Sequence, residues 1–226
     1  MIKAVAIDID GTLTDEKRQL DLGAVAKARE LEAHGIPVIL ATGNILCITE
    51  SASFFIGTTG PLIAENGGIV TYPKTGEVKY SGDIEKVNEA FNALRGKLAV
   101  ERVMRSELRK TEIALSRTVP VEEIKKVLRG FDVSVVDTKY AIHIKDTRVN
   151  KGVALKEAGR MMGIDIKEIA AIGDSENDRE MLEAAGYAIS VFEEGLKDVS
   201  DYITRARFGE GCVEAIEHLI KEKKLY

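Results

Sequence analysis

The sequence predicts an α/β protein: a doubly wound, Rossmann-like parallel sheet into which a smaller α+β domain is inserted. Two observations predict it. Over residues 1–82, and again over 152–226, nearly continuous apolar runs alternate with stretches of helical spacing, the grammar of buried parallel strands joined by crossover helices. Over residues 83–151 the order becomes αββαββ. Two strands per helix, joined by short turns, imply an antiparallel sheet covered by helices on one face.

The first strand is the apolar run through Ile2 and Ala4–Ile7, ending in Asp8-Ile9-Asp10-Gly11-Thr12. Leu20–His34 carries apolar residues at helical spacing, with Gly35 placed to cap it. Ile36–Ala41 is the second strand, with Pro37 near its start where a missing N–H is tolerable; it stops at Thr42-Gly43-Asn44. A helix over Ile45–Ile56 and a short strand, Pro61–Ala64, follow. After Glu65-Asn66-Gly67-Gly68, Ile69–Tyr72 and Val78–Tyr80 form a hairpin around Lys74-Thr75-Gly76. The insert reads as helix Asp83–Arg95, strands Ala99–Arg105 and Thr111–Ser116, helix Val121–Gly130, and strands Val133–Asp137 and Tyr140–Lys145 joined at Thr138-Lys139. The alternation resumes with helix Lys151–Met162, strand Ile169–Ile172, helix Asn177–Ala184, strands Tyr187–Val191 and Tyr202–Thr204, and a closing helix, Gly211–Lys223.

Composition bounds the function. With 45% hydrophobic and 31% charged residues, the chain can bury a substantial core and is unlike a disordered one. No apolar run approaches the ~20 residues of a membrane span. Met1-Ile2-Lys3 runs straight into strand sequence without a charged-then-apolar leader, so a cytoplasmic location with no membrane attachment is the expectation. A net charge of −5 argues against a nucleic-acid partner, whose backbone needs a basic surface. Cys47 and Cys212 lie beside apolar residues and are expected to be buried and reduced, since two such thiols make neither a disulfide framework nor a metal set. No role falls to His34, His143 or His218, and His143 should face away from Ile142 and Ile144.

In an open parallel sheet, ligands bind outside the carboxyl ends of the strands, and three polar clusters sit there. Asp8 and Asp10, two apart, share one face if the backbone is extended, although an Asp-Gly turn is also an ordinary way to end a strand. Thr42-Gly43 precedes a helix, where a hydroxyl and free amides suit an anion, or merely an N-cap. Gly173-Asp174-Ser175-Glu176-Asn177-Asp178 follows the Ile169–Ile172 strand. A capping box explains Ser175 and Asp178 but not Asp174. Asp8, Asp10, Asp174 and Asp178 brought together would repel, and the natural resolution is a hard divalent cation with oxygen ligands, most simply Mg²⁺. Lys151, in the first turn of its helix after Asn150, faces the positive end of the dipole. An acidic cluster and a bound phosphate would compensate it; a solvent-facing lysine is the plain alternative.

Asp8-Ile9-Asp10-Gly11-Thr12, Thr42-Gly43-Asn44, Asn150-Lys151-Gly152 and Gly173-Asp174-Ser175-Glu176-Asn177-Asp178 resemble the four ordered motifs of the haloacid dehalogenase superfamily of phosphatases. The insert resembles the cap of its Cof-like subfamily. The short insert and Glu65-Asn66-Gly67-Gly68 are most similar to the archaeal phosphoglycolate phosphatases. The resemblance implies a Mg²⁺-dependent phosphomonoesterase acting on 2-phosphoglycolate, with Asp8 as nucleophile and Asp10 as general acid and base. It also implies Thr42, Gly43, Asn44 and Lys151 as phosphate ligands, and Asp8, the Asp10 carbonyl, Asp174 and Asp178 around the metal. The cap, with Arg102, Arg105 and Arg109 as candidates for a substrate carboxylate, would select a small-molecule phosphomonoester. A homodimer is compatible with the sequence. A sugar phosphatase or phosphomutase of the same superfamily is the nearest alternative reading. Many Cof-like sugar phosphatases have Arg where this chain has Asn44. A receiver-like module carrying phospho-Asp is the alternative from another class, and the insert and Asp10-Gly11-Thr12 speak against it.

Overall fold

The computed structural model describes residues 1–138, 140–222, 224 and 225. Lys139 of the expected Thr138-Lys139 turn and Lys223, the expected end of the last helix, lie outside the described residues. In chain order the first stretch forms β1 (Ala4–Asp8), α1 (Leu22–Ala33), β2 (Val38–Ala41), α2 (Leu46–Ile56), β3 (Leu62–Ala64), β4 (Ile69–Tyr72) and β5 (Glu77–Tyr80). The insert forms α3 (Ile84–Arg95), β6 (Glu112–Leu115), α4 (Val121–Val127), β7 (Val133–Asp137) and β8 (Ile142–Asp146). The last stretch adds α5 (Lys151–Met162), β9 (Ile169–Gly173), α6 (Arg179–Ala184), β10 (Tyr187–Ser190), β11 (Tyr202–Ile203) and α7 (Phe208–Lys221).

The chain divides into two compact units, one of Met1–Lys79 with Asn150–Tyr226 and the other of Tyr80–Val149. The smaller unit thus spans residues 80–149, against the 83–151 that the sequence pattern gives for the insert. In the larger unit the sheet order is β11-β10-β9-β1-β2-β3-β4-β5. β1 lies between β2 and β9 and is parallel to both, while β3 and β4 pair antiparallel as the hairpin region begins. Alternation along each strand sends its side chains to opposite faces. Val5, Ile7, Val38 and Leu40 meet Val25 and Leu31 of α1 and Cys212 and Ile216 of α7. Ala4, Ala6, Ile39 and Ala41 meet Leu155 of α5 and Leu182 of α6. Asp8 continues the phase of Ala4 and Ala6, and so faces the side of the sheet that α5 covers.

The smaller unit has a hydrophobic cluster of its own, formed by Val87, Phe91 and Leu94 of α3, Ile113, Leu115, Ile124 of α4, Ile142 and Ile144. Its described sheet has three strands, ordered β6-β8-β7 and antiparallel throughout, one fewer than the αββαββ pattern predicts. The missing one is Ala99–Arg105. Ser116 N and Val103 N tie this segment to β6 through Glu101 O and Ala114 O, at 2.8 and 3.0 Å. The pairing then fails, because Met104 turns out to solvent and Arg105 adopts a left-handed φ of 62°. The candidate carboxylate ligands fare differently from one another. Arg102 lies over the Phe91 ring, Arg105 makes the turn, and Arg109 is ion-paired to buried Glu112. His143 does face away from Ile142 and Ile144, and its Nδ1 lies 2.7 Å from Glu112 Oε1. Of the cysteines, Cys212 is buried, with its thiol pushed up to about 12 by that burial. Cys47 is exposed, contrary to expectation, because it occupies the solvent face of α2.

Candidate active site

Pairing of Asp8 with Ala41 and of Ile7 with Ile172 brings the carboxyl ends of β1, β2 and β9 level. The loops that follow them, beginning at Ile9, Thr42 and Asp174, therefore leave the sheet at one edge. Lys151 starts α5, which Asn150 caps by accepting from Val153 N at 2.8 Å. Its ammonium is not in solvent. Lys151 is 1% exposed, and Nζ lies 2.5 Å from Asp8 Oδ1 and 2.6 Å from Asp178 Oδ1. The unfavourable placement at a helix start is thus offset by two buried carboxylates. Asp178 Oδ2 accepts from Asp174 N and Ser175 N at 3.2 Å each. The capping box and the site contact coexist, one on each oxygen of the same carboxylate.

Electrostatics follow from three acids around one ammonium. Burial raises the Asp8 pKa well above the ordinary range, Asp178 and Asp174 push it further, and Lys151 opposes them. For Lys151, burial works against the charge, but Asp178 and Asp8 outweigh it and its pKa is raised. One ammonium stands against three carboxyl groups. Carboxylate oxygens of Asp8, Asp174 and Asp178 lie within 4.8 Å of one another, a set of hard oxygen donors that fits a small divalent cation. Gly11 makes the approach possible. It sits at φ 99°, where a Cβ would overlap the Asp174 carboxylate.

Asp10 is arranged differently. β1 ends at Asp8 and the chain turns over Ile9–Leu13, so the extended backbone that would align the two acids is not continued. Asp10 Oδ2 accepts from Asn44 Nδ2 at 2.6 Å and Thr42 Oγ1 at 3.3 Å, and Oδ1 from Arg18 Nε at 2.7 Å. Its carboxylate is outside the cluster of three that could hold a metal. Thr42 is fully buried and its hydroxyl accepts from Asn44 N at 3.0 Å. It does not cap α2, whose N-cap is Ile45 without a side-chain bond.

A family model described as haloacid dehalogenase-like hydrolase matches residues 5–107 and 102–216. The chain belongs to this family. Curated relatives named phosphoglycolate phosphatase include one from Methanothermobacter thermautotrophicus, 46% identical over 97% of this chain and 99% of its own. Another, from Methanosarcina mazei, is 48% identical over 96% of each. A solved Thermoplasma acidophilum structure superposes with a TM-score of 0.90 at 25% identity, covering 97% of this chain and 99% of that one. A subclass IIB sugar phosphatase shares the fold, with a TM-score of 0.79 at 21% identity over 96% of this chain and 98% of that one.

Sequence reasoning about this hydrolase missed three side chains. Arg18, half-exposed with φ 62°, reaches Asp10 from a turn held by Asp15 Oδ1, which accepts from Lys17 N and Gln19 N. Nothing in its local pattern signals that reach. Asn66 and Asn177 meet across the site, Asn177 Nδ2 donating to Asn66 Oδ1 at 3.5 Å. The Glu65-Asn66-Gly67-Gly68 phrase was the available signal, since glycines after a strand mark an unusual backbone.

Proposed function

We propose that this hydrolase is a Mg²⁺-dependent phosphomonoesterase that converts 2-phosphoglycolate to glycolate and phosphate through an aspartyl-phosphate on Asp8. The observation that carries the reaction is the buried contact of Lys151 with Asp8 and Asp178, beside Asp174. The substrate reading rests on the name carried by relatives at 46% and 48% identity. Asp8 attacks phosphorus while the bond to the glycolate oxygen breaks, and Asp10 gives that oxygen its proton. Asp10 then takes a proton from the water that attacks the aspartyl-phosphate, releasing phosphate and restoring Asp8. Arg18 and Asn44 hold the two oxygens of the Asp10 carboxylate for this work. An ammonium has three donors. With two directed to Asp8 and Asp178, Lys151 has one for a phosphoryl oxygen, and the Thr42 hydroxyl and Asn44 N, which serve Asp10 Oδ2 and Thr42 Oγ1 in this structure, would turn to the phosphoryl group as charge spreads over it. Asp8, Asp174 and the Asp10 carbonyl would hold Mg²⁺, with Asp178 beside them; it would neutralise the charge that otherwise keeps two anions apart. The insert is assigned the choice of leaving group.

The test is turnover of a broad phosphomonoester panel with and without Mg²⁺, together with Asp8→Asn. The expected result is Mg²⁺-dependent turnover that favours 2-phosphoglycolate and is abolished in the variant. A flat or sugar-biased panel would remove phosphoglycolate. Normal turnover by Asp8→Asn would refute the nucleophile.

A further inference from the structure

Between β3 and β4 the chain makes a turn whose backbone is costly. Glu65, Asn66 and Gly67 take successive positive φ values of 49°, 54° and 99°. Only the last is a glycine, for which this region is free of steric penalty. Glu65 and Asn66 are also 1% and 2% exposed, so the conformation is not a surface accident. A strained backbone persists only where its surroundings over-determine it, and such sites cluster at function.

The surroundings are three loops of the site. Glu65 N donates to Asn44 O at 2.9 Å and Asn66 N to Thr42 O at 3.1 Å, so the turn is fastened to the loop after β2. The Asn66 side chain fills the notch left by Gly43, where a Cβ would stand 2.9 Å from Asn66 Oδ1. The same Oδ1 accepts from Asn177 Nδ2 at 3.5 Å, which reaches the loop after β9. Gly67 lies against the Asn150 carbonyl so closely that a Cβ would overlap it, and Asn150 immediately precedes Lys151. One turn therefore touches the Thr42 loop, the start of the Lys151 helix and the Asp174–Asp178 loop. All three belong to the same compact unit.

We infer that Asn66 is a positioning residue that locks the Thr42–Asn44 loop to the Asp174–Asp178 loop, setting the phosphate donors at a fixed place relative to the acidic group. This rests on the roles proposed above for those loops. Asn66 acts through Gly43 and Asn177.

The experiment compares Asn66→Gly, Asn177→Ala, their double variant and Asp8→Asn. Glycine at 66 accepts the left-handed backbone without strain while deleting the amide, which separates positioning from folding. In Asn66→Gly the thermal midpoint stays at the wild-type value, while Mg²⁺ affinity by calorimetry and kcat/KM on p-nitrophenyl phosphate each fall about 10–100-fold, as for lost outer-shell partners of a metal site. Because the two amides share a contact, beside the one each makes alone to Gly43 or to Ser175 Oγ, the losses in the double variant are less than additive. Unchanged Mg²⁺ affinity and kcat/KM in Asn66→Gly, losses that merely follow a lowered midpoint, or additive losses in the double variant would each overturn the role of Asn66. Full turnover by Asp8→Asn overturns the functional reading itself and this inference with it. An inactive Asp8→Asn beside an unaltered Asn66→Gly removes the inference alone.

Discussion

At the scale of single residues, Lys151 decides the most. Its ammonium, buried between Asp8 and Asp178, is the counter-charge that lets two carboxylates leave water. Lys151→Met should cost about 3–5 kcal/mol, the usual result of orphaning buried charge, measured by urea unfolding at neutral pH, and part should return in Lys151→Met with Asp178→Asn. A pH prediction follows from Asp8. In the metal-free protein its folded-state pKa is raised by burial and by Asp178 and Asp174. Its contribution to stability is then fully present below the unfolded value of about 3.9 and is lost as pH rises through the folded pKa. Bound Mg²⁺ needs the ionised form. The midpoint of metal-free protein should fall with rising pH relative to Asp8→Asn, and the increase on adding Mg²⁺ should grow over the same range. A thermal-shift series with and without the ion would reveal it. A Mg²⁺ effect independent of pH would mean that Asp8 is not among the ligands.

At the scale of elements, the turn after β1 and the cap of α1 make a useful contrast. Gly11→Ala forces a side chain into the Asp174 carboxylate at a φ of 99°. It should cost about 1–3 kcal/mol, the range for strained backbone, and should also lower kcat, since Asp174 must move. Asp21→Ala removes the N-cap bond to Ala24 N on a helix that carries no site residue. It should cost about 1 kcal/mol and leave kcat unaltered. Denaturant midpoints and initial rates on the two variants check both statements. The elements were largely legible, because helices and buried strands differ in apolar period. β7 and α5 begin and end where the pattern predicts. Ala99–Arg105 has the alternation of a strand, which carries no sign of the left-handed turn at Arg105 that ends the pairing.

At the scale of the whole molecule, two compact units each bury a hydrophobic cluster of their own. Leu94, fully buried in the smaller unit, tests their independence. Leu94→Ala should cost that unit about 2–5 kcal/mol. Hydrogen exchange should accelerate across residues 80–149 while amides of β1 and β9 keep their protection; equal acceleration in both would mean that the units unfold as one. The sequence by itself predicted a βα core with an insert, from the apolar periods, and placed Asp8, Thr42 and Asp174 at strand ends, by the rule that parallel strands present their loops at one edge. Lys151, at a helix start, joined them there only through the resemblance of its motif. The tertiary structure alone decided which groups pair. Lys151 reaches Asp8 because strand phase turns that carboxylate toward α5. Asp10 leaves the strand to meet Arg18 and Asn44, and Asn66 bridges loops more than a hundred residues apart in sequence. Contacts between distant segments depend on register and on the turns between them, and no local pattern of residues encodes either.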